Sequence, residues 1–257
     1  MKKTILTSLA LGVMSVGLMA GNAMAYPLDS IVEDSLQEVL DNITQVTVAN
    51  PSGLSSVNVQ TDFVAPAIDD YWAIGGTGQS AATLVIEISG NALLNTFGVY
   101  DYTDITKKVT LFDGADQPAL FPGFTTTLSL LLDGSVILNS ITDTGVDFAG
   151  NNFGFFLSNG SSIFYSDTTK NADGFDHMFA YAGKGDRVQL PGVLAGDWLS
   201  NEYVFGWEDQ YSGGDKDYQD FVVMVESVTP VPEPASMLLF GTGLASLAGL
   251  VTRRKKN

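Results

Sequence analysis

Most of the chain consists of short runs of β-branched and aromatic residues, separated by clusters of Gly, Asn, Asp, Ser and Pro. Such runs are typical of strands, and the clusters between them are typical of turns. Twelve runs have this pattern: residues 44–50, 56–60, 82–89, 95–101, 107–112, 124–132, 135–140, 152–158, 162–166, 177–182, 202–208 and 220–228. Asp133-Gly134 lies between two apolar runs and predicts a hairpin. Because no helical pattern separates the runs, we predict a mainly β fold, an antiparallel β-sandwich that is jelly-roll-like.

One segment near the N-terminus has helical periodicity instead. Asp29 or Ser30 can cap its start, and Glu33 follows in the first turn. Apolar residues recur at three- and four-residue spacing along one face: Ile31, Val32, Leu36, Val39, Leu40 and Ile43. The pattern predicts one short N-terminal amphipathic helix, which we expect to pack on an end of the domain.

The first 25 residues have the three parts of a secretory signal peptide. The start is positively charged, residues 5–19 are apolar, and Ala23 and Ala25 occupy the two positions that a signal peptidase recognises. We therefore expect signal peptidase to remove residues 1–25 and to leave Tyr26 as the first residue. The alternative is an uncleaved N-terminal membrane anchor, but the apolar stretch is short and precedes a good cleavage site.

The C-terminal segment has another three-part pattern. Pro232-Glu233-Pro234 is followed by the uncharged residues 235–251, and then by the basic residues Arg253, Arg254, Lys255 and Lys256. A helix of this length spans about 26 Å, near the lower limit for crossing a bilayer. The basic cluster favours a cytoplasmic C-terminus. Hydropathy alone fits a transmembrane helix at 235–251 that is either a permanent anchor or part of a removable tail.

A Pro-Glu-Pro box, a short apolar helix and a basic end, in this order, resemble the PEP-CTERM sorting signal, here residues 229–257. The resemblance implies a bacterium that has an outer membrane and makes exopolysaccharide. It also implies recognition by exosortase, a membrane cysteine protease that removes the tail. The sorting residues would be Pro232, Glu233, Pro234, Arg253 and Arg254.

The same resemblance implies a localisation. The protein would cross the inner membrane and reach the cell surface or the extracellular matrix, with exopolysaccharide as a candidate partner. A retained tail would instead leave it membrane-anchored and facing the periplasm. Contact with the membrane is expected only through the tail before processing.

The charge composition limits what the region between the two signals can bind. The chain has 12 Lys and Arg against 29 Asp and Glu, and six of the basic residues lie in the terminal signals. The strongly acidic remainder excludes nucleic acid as a partner and attracts divalent cations. Cysteine is absent, so neither disulfides nor thiolate metal sites can stabilise the fold. The length of residues 26–228 suits one secreted β-sandwich domain.

Acidic residues are concentrated near the end of this domain: Glu208, Asp209, Asp215, Asp217 and Asp220. The flanking runs 202–207 and 220–225 are strand-like, which places the acidic residues in a hairpin loop. Ca²⁺ takes six to eight oxygen ligands, and a bound ion would offset the repulsion between the carboxylates. We predict a Ca²⁺ site with Asp215, Asp217 and Asp220 as the principal ligands and with Glu208 and Asp209 as secondary ligands.

This loop differs from an EF-hand. Counted from Asp215, the positions that an EF-hand fills with Gly and Glu hold Asp220 and Glu226. Gly213-Gly214 permit a tight turn with positive φ. The alternative interpretation is a solvated, turn-forming loop without an ion.

A wider resemblance covers residues 80–228. The segments NTFGVYDYTD, KKVTLFDG, NFGFFLS, DGFDHMFAY and FGWEDQYSGGDKDYQDFVVMV resemble the domain of unknown function 4114 family. Its closing box is Gly-Trp/Phe-Glu-Asp, a glycine-bearing loop, Gly-Asp-x-Asp-Tyr/Phe-x-Asp and a last strand. The resemblance implies a β-rich fold and calcium binding, and it implies no reaction.

Signals for catalysis are sparse. His177 is the only histidine, and neither a Gly-x-Ser-x-Gly nucleophile motif nor a Glu-x-Asp-x-x-Glu strand pattern occurs. We interpret His177 as a hydrogen-bonding residue of a loop or strand start. Trp72, Trp198 and Trp207 could stack on sugars, but burial in the core is the preferred interpretation.

These observations favour a non-enzymatic structural or adhesive protein of the surface or exopolysaccharide matrix. A calcium-dependent carbohydrate-binding module is the alternative, and a glycan hydrolase is the third hypothesis.

Overall fold

The computed structural model describes residues 36–66, 68–75, 78–87, 93–114 and 125–232. These residues form one α-helix and antiparallel sheets, so the prediction of a mainly β fold with a short N-terminal amphipathic helix is confirmed. The predicted signal peptide 1–25 and the predicted membrane helix 235–251 lie outside the described residues. Within the described ranges, no helix is long and apolar enough to cross a bilayer.

The helix is α1 (Leu36–Ile43). The strands in chain order are β1 (Trp72–Ile74), β2 (Ser80–Glu87), β3 (Thr96–Asp101), β4 (Asp104–Phe112), β5 (Thr125–Leu130), β6 (Ser135–Leu138), β7 (Thr142–Asp147), β8 (Asn152–Ser158), β9 (Ile163–Tyr165), β10 (Met178–Ala182), β11 (Arg187–Val188), β12 (Gly196–Asp197), β13 (Glu202–Trp207), β14 (Phe221–Glu226) and β15 (Val228–Pro230).

Two large sheets make up the domain. One has the order β15-β1-β8-β3-β4, with β9 paired to the C-terminal half of β8. The other has the order β10-β13-β14-β2-β5-β6-β7. A separate two-stranded ribbon joins β11 to β12. The large sheets therefore place β3 and β8 in one layer and the hairpin of β13 and β14 in the other.

The two sheets pack face to face through aromatic side chains. Phe205 on β13 lies 4.9 Å from both Trp72 on β1 and Phe155 on β8, measured between ring centroids. Phe97 on β3 stacks at 5.1 Å on Phe221 of β14. Such ring pairs add to the free energy that apolar burial contributes. The contacts confirm the predicted sandwich.

The outer face of the seven-stranded sheet is also covered. Along β13, Phe205 and Trp207 face the other sheet, whereas Val204 belongs to a second apolar cluster on the outer face. Leu36 and the other buried residues of α1 pack in that cluster. A Cβ on Gly206 would lie 2.6 Å from Leu36 Cδ2, so glycine is required for this close approach. The helix therefore packs on a sheet face, and the expectation that it packs on an end of the domain is wrong.

The predicted strands agree with the structure in most of the chain. The hairpin predicted at Asp133-Gly134 joins β5 to β6, with Gly134 at φ +98°. Residues 44–50 and 56–60 form turns and irregular backbone, whereas the polar segment β7 is a strand that lacks a hydrophobic alternation. β7 is an edge strand with mostly exposed side chains, which explains why its apolar pattern is weak.

Candidate metal centre

Loop 208–220 joins β13 to β14 at one end of the sandwich. Trp207 and Phe221 are paired across the hairpin, so the loop begins with Glu208 directly after the last strand pair. A short 3₁₀ turn, Tyr211–Gly213, forms part of the loop. The predicted strand–loop–strand arrangement is therefore confirmed.

Glu208 is a fully buried acid, with 0 % of its surface exposed. Its Oε2 accepts the N–H of Lys216 over 3.1 Å. Its Oε1 is buried and accepts no hydrogen bond from an N–H or hydroxyl of the described residues, and the Glu208 carboxyl is within hydrogen-bond reach of the Asp220 carboxyl. A buried polar atom without a partner lowers stability by about 1–3 kcal/mol, and more if it is charged.

The other four predicted ligands converge on Glu208 in two groups. Oxygens of Glu208, Asp215 and Asp217 lie within 4.8 Å of one another. Oxygens of Glu208, Asp209 and Asp220 form a second group with the same limit. Glu208 belongs to both groups, so the structure brings all five predicted residues to one site.

Burial and repulsion by neighbouring carboxylates favour the protonated forms of Glu208, Asp217 and Asp220. Burial, reinforced by the charge of Asp220, raises the pKa of Glu208 to about 10. Burial also raises the pKa of Asp220 to about 6, although the N–H of Asp209 donates to its Oδ2 over 3.0 Å. The pKa of Asp217 is raised, again mainly by burial. Without a cation, Glu208 therefore holds a proton at neutral pH, and a bound divalent ion would displace it.

Two buried amides border the acids. Asn95 Nδ2, just before β3, donates to Asp209 Oδ2 over 3.0 Å. Gln219 Nε2 donates to Asp217 Oδ2 over 2.8 Å. The oxygens of both amides are buried and have no hydrogen-bond partner within the described part of the chain. Each amide thus holds a carboxylate in position and leaves an oxygen unused.

His177 anchors the start of the loop. Its Nδ1 donates to the carbonyl oxygen of Glu208 over 2.8 Å, and its own carbonyl accepts the N–H of Glu208 over 3.0 Å. Its Nε2 lies 3.0 Å from Asp173 Oδ2, and the ring stacks on Phe164 at 3.9 Å. Burial opposes ionisation of Asp173, but the N–H groups of Ser212 and Phe175 and the His177 ring hold its pKa below the ordinary value. His177 is a buried hydrogen-bonding residue at a strand start, as predicted.

The backbone of the loop is unusual because several residues have positive φ. Gly213 and Gly214 have φ of 78° and 37°, as predicted, and Ser212, Lys216 and Tyr218 do so as well. A Cβ on Gly214 would lie 2.4 Å from Glu208 Oε1. Glycine at this position therefore keeps open the space beside this oxygen.

Glu208 has a more central position among the carboxylates than the predicted ranking gives it. Glu208, predicted as a secondary ligand, is the residue that both groups share. Glu208 and Asp209 are 0 % exposed, so the alternative of a fully solvated loop is wrong for these two, whereas Asp215 is exposed. Sequence reasoning missed Asn95, which lies 114 positions from its partner Asp209 and carries no local signal. Gln219 was also missed, although it lies between two predicted ligands.

The remaining predicted residues are placed as follows. Trp72, Trp198 and Trp207 are fully buried and are not available to stack on a glycan, as the preferred interpretation holds. Pro232 is exposed after β15. The other sorting and cleavage residues lie outside the described ranges: Glu233, Pro234, Arg253, Arg254, Ala23, Ala25 and Tyr26.

A small cavity lies at the opposite end of β3. It has a volume of about 190 Å³ and is lined by Tyr102, Thr103, Asn151, Asn152 and neighbouring backbone, with Asp101 at its base. β3 runs from Asn95 at the metal centre to Asp101, so the two places are separated by roughly 20 Å. Asp101 is held by donors from Thr103 and Ala149.

Comparison with known families gives two matches. Residues 139–228 match the family described as Domain of unknown function (DUF4114), and residues 230–255 match the PEP-CTERM protein-sorting motif. Both resemblances are thus confirmed, the first over a shorter range than residues 80–228. The matched region contains the whole of loop 208–220. No curated protein and no solved structure matches the chain.

The sorting motif defines the class of protein. A PEP-CTERM motif implies an exported protein of the cell surface or the extracellular space that is processed by exosortase. The family that matches the body has no assigned function, so the role of the sandwich has to be argued from its own geometry.

Proposed function

We propose that the protein is a non-enzymatic structural or adhesive component of the cell surface or exopolysaccharide matrix, and that Ca²⁺ bound by loop 208–220 stabilises its sandwich. The observation that carries the proposal is Glu208, a fully buried carboxylate beside four further carboxylates. A divalent cation would take the place of the proton on Glu208 and turn the repulsion between the carboxylates into attraction.

The donor set fits calcium. Carboxylate and amide oxygens are the ligands that Ca²⁺ takes, whereas nitrogen and sulfur ligands of zinc sites are absent from the two groups. Mg²⁺ is smaller and keeps several of its waters, so a site with many protein oxygens favours Ca²⁺ over Mg²⁺. The residues that would hold the ion are Glu208, Asp209, Asp215, Asp217 and Asp220.

Bound calcium at this place would fix Asp209, which links the two sheets through hydrogen bonds. Asp209 belongs to the hairpin of the seven-stranded sheet, and it accepts hydrogen bonds from Asn95 and, at its carbonyl, from Asn159. Both asparagines flank strands of the six-stranded sheet. In a chain that lacks cysteine, such a link provides the stabilisation that disulfides give other exported domains.

The surroundings of His177 support a role without catalysis. A general base needs a ring nitrogen that can reach a substrate. Both ring nitrogens of His177 are engaged, by Glu208 and Asp173, and the residue is fully buried.

Thermal unfolding tests the proposal on the full-length protein in detergent. At a calcium concentration about 100 times the dissociation constant, binding stabilises the fold by about 2.7 kcal/mol. For a domain of this size, that corresponds to a rise in Tm of roughly 5–10 °C relative to the chelated protein. Mg²⁺ should raise the Tm less. Equal Tm values in calcium and in chelator would overturn the proposal.

Carbohydrate binding is the second candidate function, and the cavity at Asp101 favours it. Its lining offers one aromatic ring, Tyr102, and the side-chain amides of Asn151 and Asn152. Neutral polyhydroxylated ligands suit such a lining. Glycan titration of the parent and of Tyr102→Ala tests this candidate: binding that is lost in the variant supports it, and no binding to the parent rejects it.

A further inference from the structure

We infer that loop 208–220 binds two divalent cations that share Glu208, and not one. The inference rests on the proposed binding of Ca²⁺ and specifies its stoichiometry and the division of the ligands. It follows from the grouping of the oxygens, from the two amides and from the charge of the loop.

The acidic oxygens form two separate triads instead of one cluster of five. Oxygens of Glu208, Asp215 and Asp217 lie within 4.8 Å of one another, and oxygens of Glu208, Asp209 and Asp220 form the second group. Glu208 is the only residue that the two triads share. A carboxylate has two oxygens and about four lone-pair sites, so it can contact one ion on each side.

Each triad has its own buried amide. Gln219 is hydrogen-bonded to Asp217 in the first triad, and Asn95 is hydrogen-bonded to Asp209 in the second. In both amides the nitrogen is used and the buried oxygen has no partner within the described ranges. Amide oxygens are ordinary Ca²⁺ ligands, so the amide beside each triad is a candidate neutral donor in addition to the carboxylates.

The formal charge of the loop also matches two ions. Five carboxylates and the ammonium group of Lys216 give residues 208–220 a formal charge of −4. One Ca²⁺ would leave −2 at a site whose central acid is fully buried, whereas two would bring the formal charge to zero. Uncompensated charge in a buried site is strongly unfavourable.

Counting bound calcium tests the inference directly. The full-length protein is freed of metal with chelator and then titrated with calcium chloride, with isothermal calorimetry and native mass spectrometry as readouts. We expect two Ca²⁺ per chain. The double variant Asp215→Asn/Asp217→Asn should bind one, and Asp209→Asn/Asp220→Asn should bind one through the other triad. Circular dichroism establishes that each variant is folded.

The outcomes separate this inference from the proposed function. One Ca²⁺ per parent chain, lost in either double variant, would overturn the two-ion arrangement and leave the calcium proposal intact. No bound calcium would overturn both. If a double variant fails to fold, the count on the parent chain decides alone: two ions support the inference and one contradicts it.

Discussion

His177 and Glu208 hold each other through two reciprocal hydrogen bonds. The ring Nδ1 of His177 donates to the carbonyl of Glu208 over 2.8 Å, and the N–H of Glu208 donates to the carbonyl of His177 over 3.0 Å. The first residue of the acidic loop is therefore fixed from the neighbouring strand β10, before any cation binds. The single histidine of the chain thus positions the start of the acidic loop.

Replacing His177 with Phe should destabilise the protein by about 3 kcal/mol, because the Glu208 carbonyl and Asp173 lose a buried partner. Phe keeps an aromatic ring against Phe164, so the loss of unfolding free energy measures the contribution of the polar contacts of His177. Chemical denaturation measures it. Lys184→Met is the control: it removes an ion pair with Asp62 whose lysine is 43 % exposed, and it should cost less than about 1 kcal/mol. Equal effects of the two substitutions would contradict the positioning role.

The pH dependence of stability should differ with and without calcium. The pKa of Glu208 in the folded state is about 10 against an ordinary 4.5, and that of Asp220 is about 6 against 3.8. The folded, calcium-free protein therefore binds more protons than the unfolded chain, and its stability falls as the pH rises through this range. Each extra proton contributes a slope of up to about 1.4 kcal/mol per pH unit.

Thermal unfolding between pH 5 and pH 8 in chelator, at roughly one-unit steps, checks this slope. In calcium the ion replaces the proton, so the calcium-dependent rise in Tm should grow with pH. A calcium effect that shrinks as the pH rises would contradict the displacement of a proton from Glu208.

Gly214→Ala should weaken calcium binding. The added Cβ would lie 2.4 Å from Glu208 Oε1, in the space that an ion needs. Gly145→Ala is a matched control, since Gly145 also has positive φ (+69°) but has no atom within 4 Å of the added Cβ. Both substitutions strain the backbone, and Gly214→Ala does so more, because φ 37° with ψ −123° lies outside the left-handed helical region. Only Gly214→Ala should raise the calcium dissociation constant, measured by calorimetry. Equal dissociation constants in the two variants would contradict a role in calcium binding for the space beside Glu208 Oε1.

Much of this site could be predicted from local sequence, because a hairpin is a local structure. The strands 202–207 and 221–226, the loop between them and its positive-φ glycines all follow from neighbouring residues. The burial of Glu208 could not be predicted in this way. It depends on His177, which precedes the neighbouring strand β10 of the same sheet, and on Asn95, which precedes β3 and is brought to the loop by the packing of the two sheets.

The errors in the fold have a similar cause. The apolar face of α1 predicts a helix, but the surface it covers is determined by the outward residues of β13 and β14 and by the absence of a side chain on Gly206. The edge strand β7 is polar because neither of its faces is fully buried. Its hydrophobic alternation is therefore too weak to predict a strand.

Processing at both ends should be visible in protein recovered from the native host. We expect the mature chain to begin at Tyr26 and to lack the basic residues Arg253 to Asn257, as the signal-peptide pattern and the PEP-CTERM motif imply. Intact-mass spectrometry of the surface or extracellular fraction measures both ends. Mature protein that retains Arg253 to Asn257 would contradict removal of the tail and indicate a permanent anchor.

The most direct test of the calcium account is the Tm of Glu208→Gln with and without calcium. Gln has the shape of the protonated Glu208 that the calcium-free protein holds at neutral pH, so the chelated variant should be as stable as the chelated parent, or more stable. Adding calcium should then raise the Tm of the parent by roughly 5–10 °C and change that of the variant by less than about 2 °C. A variant that responds to calcium as the parent does would contradict the claim that Glu208 is the centre of the site.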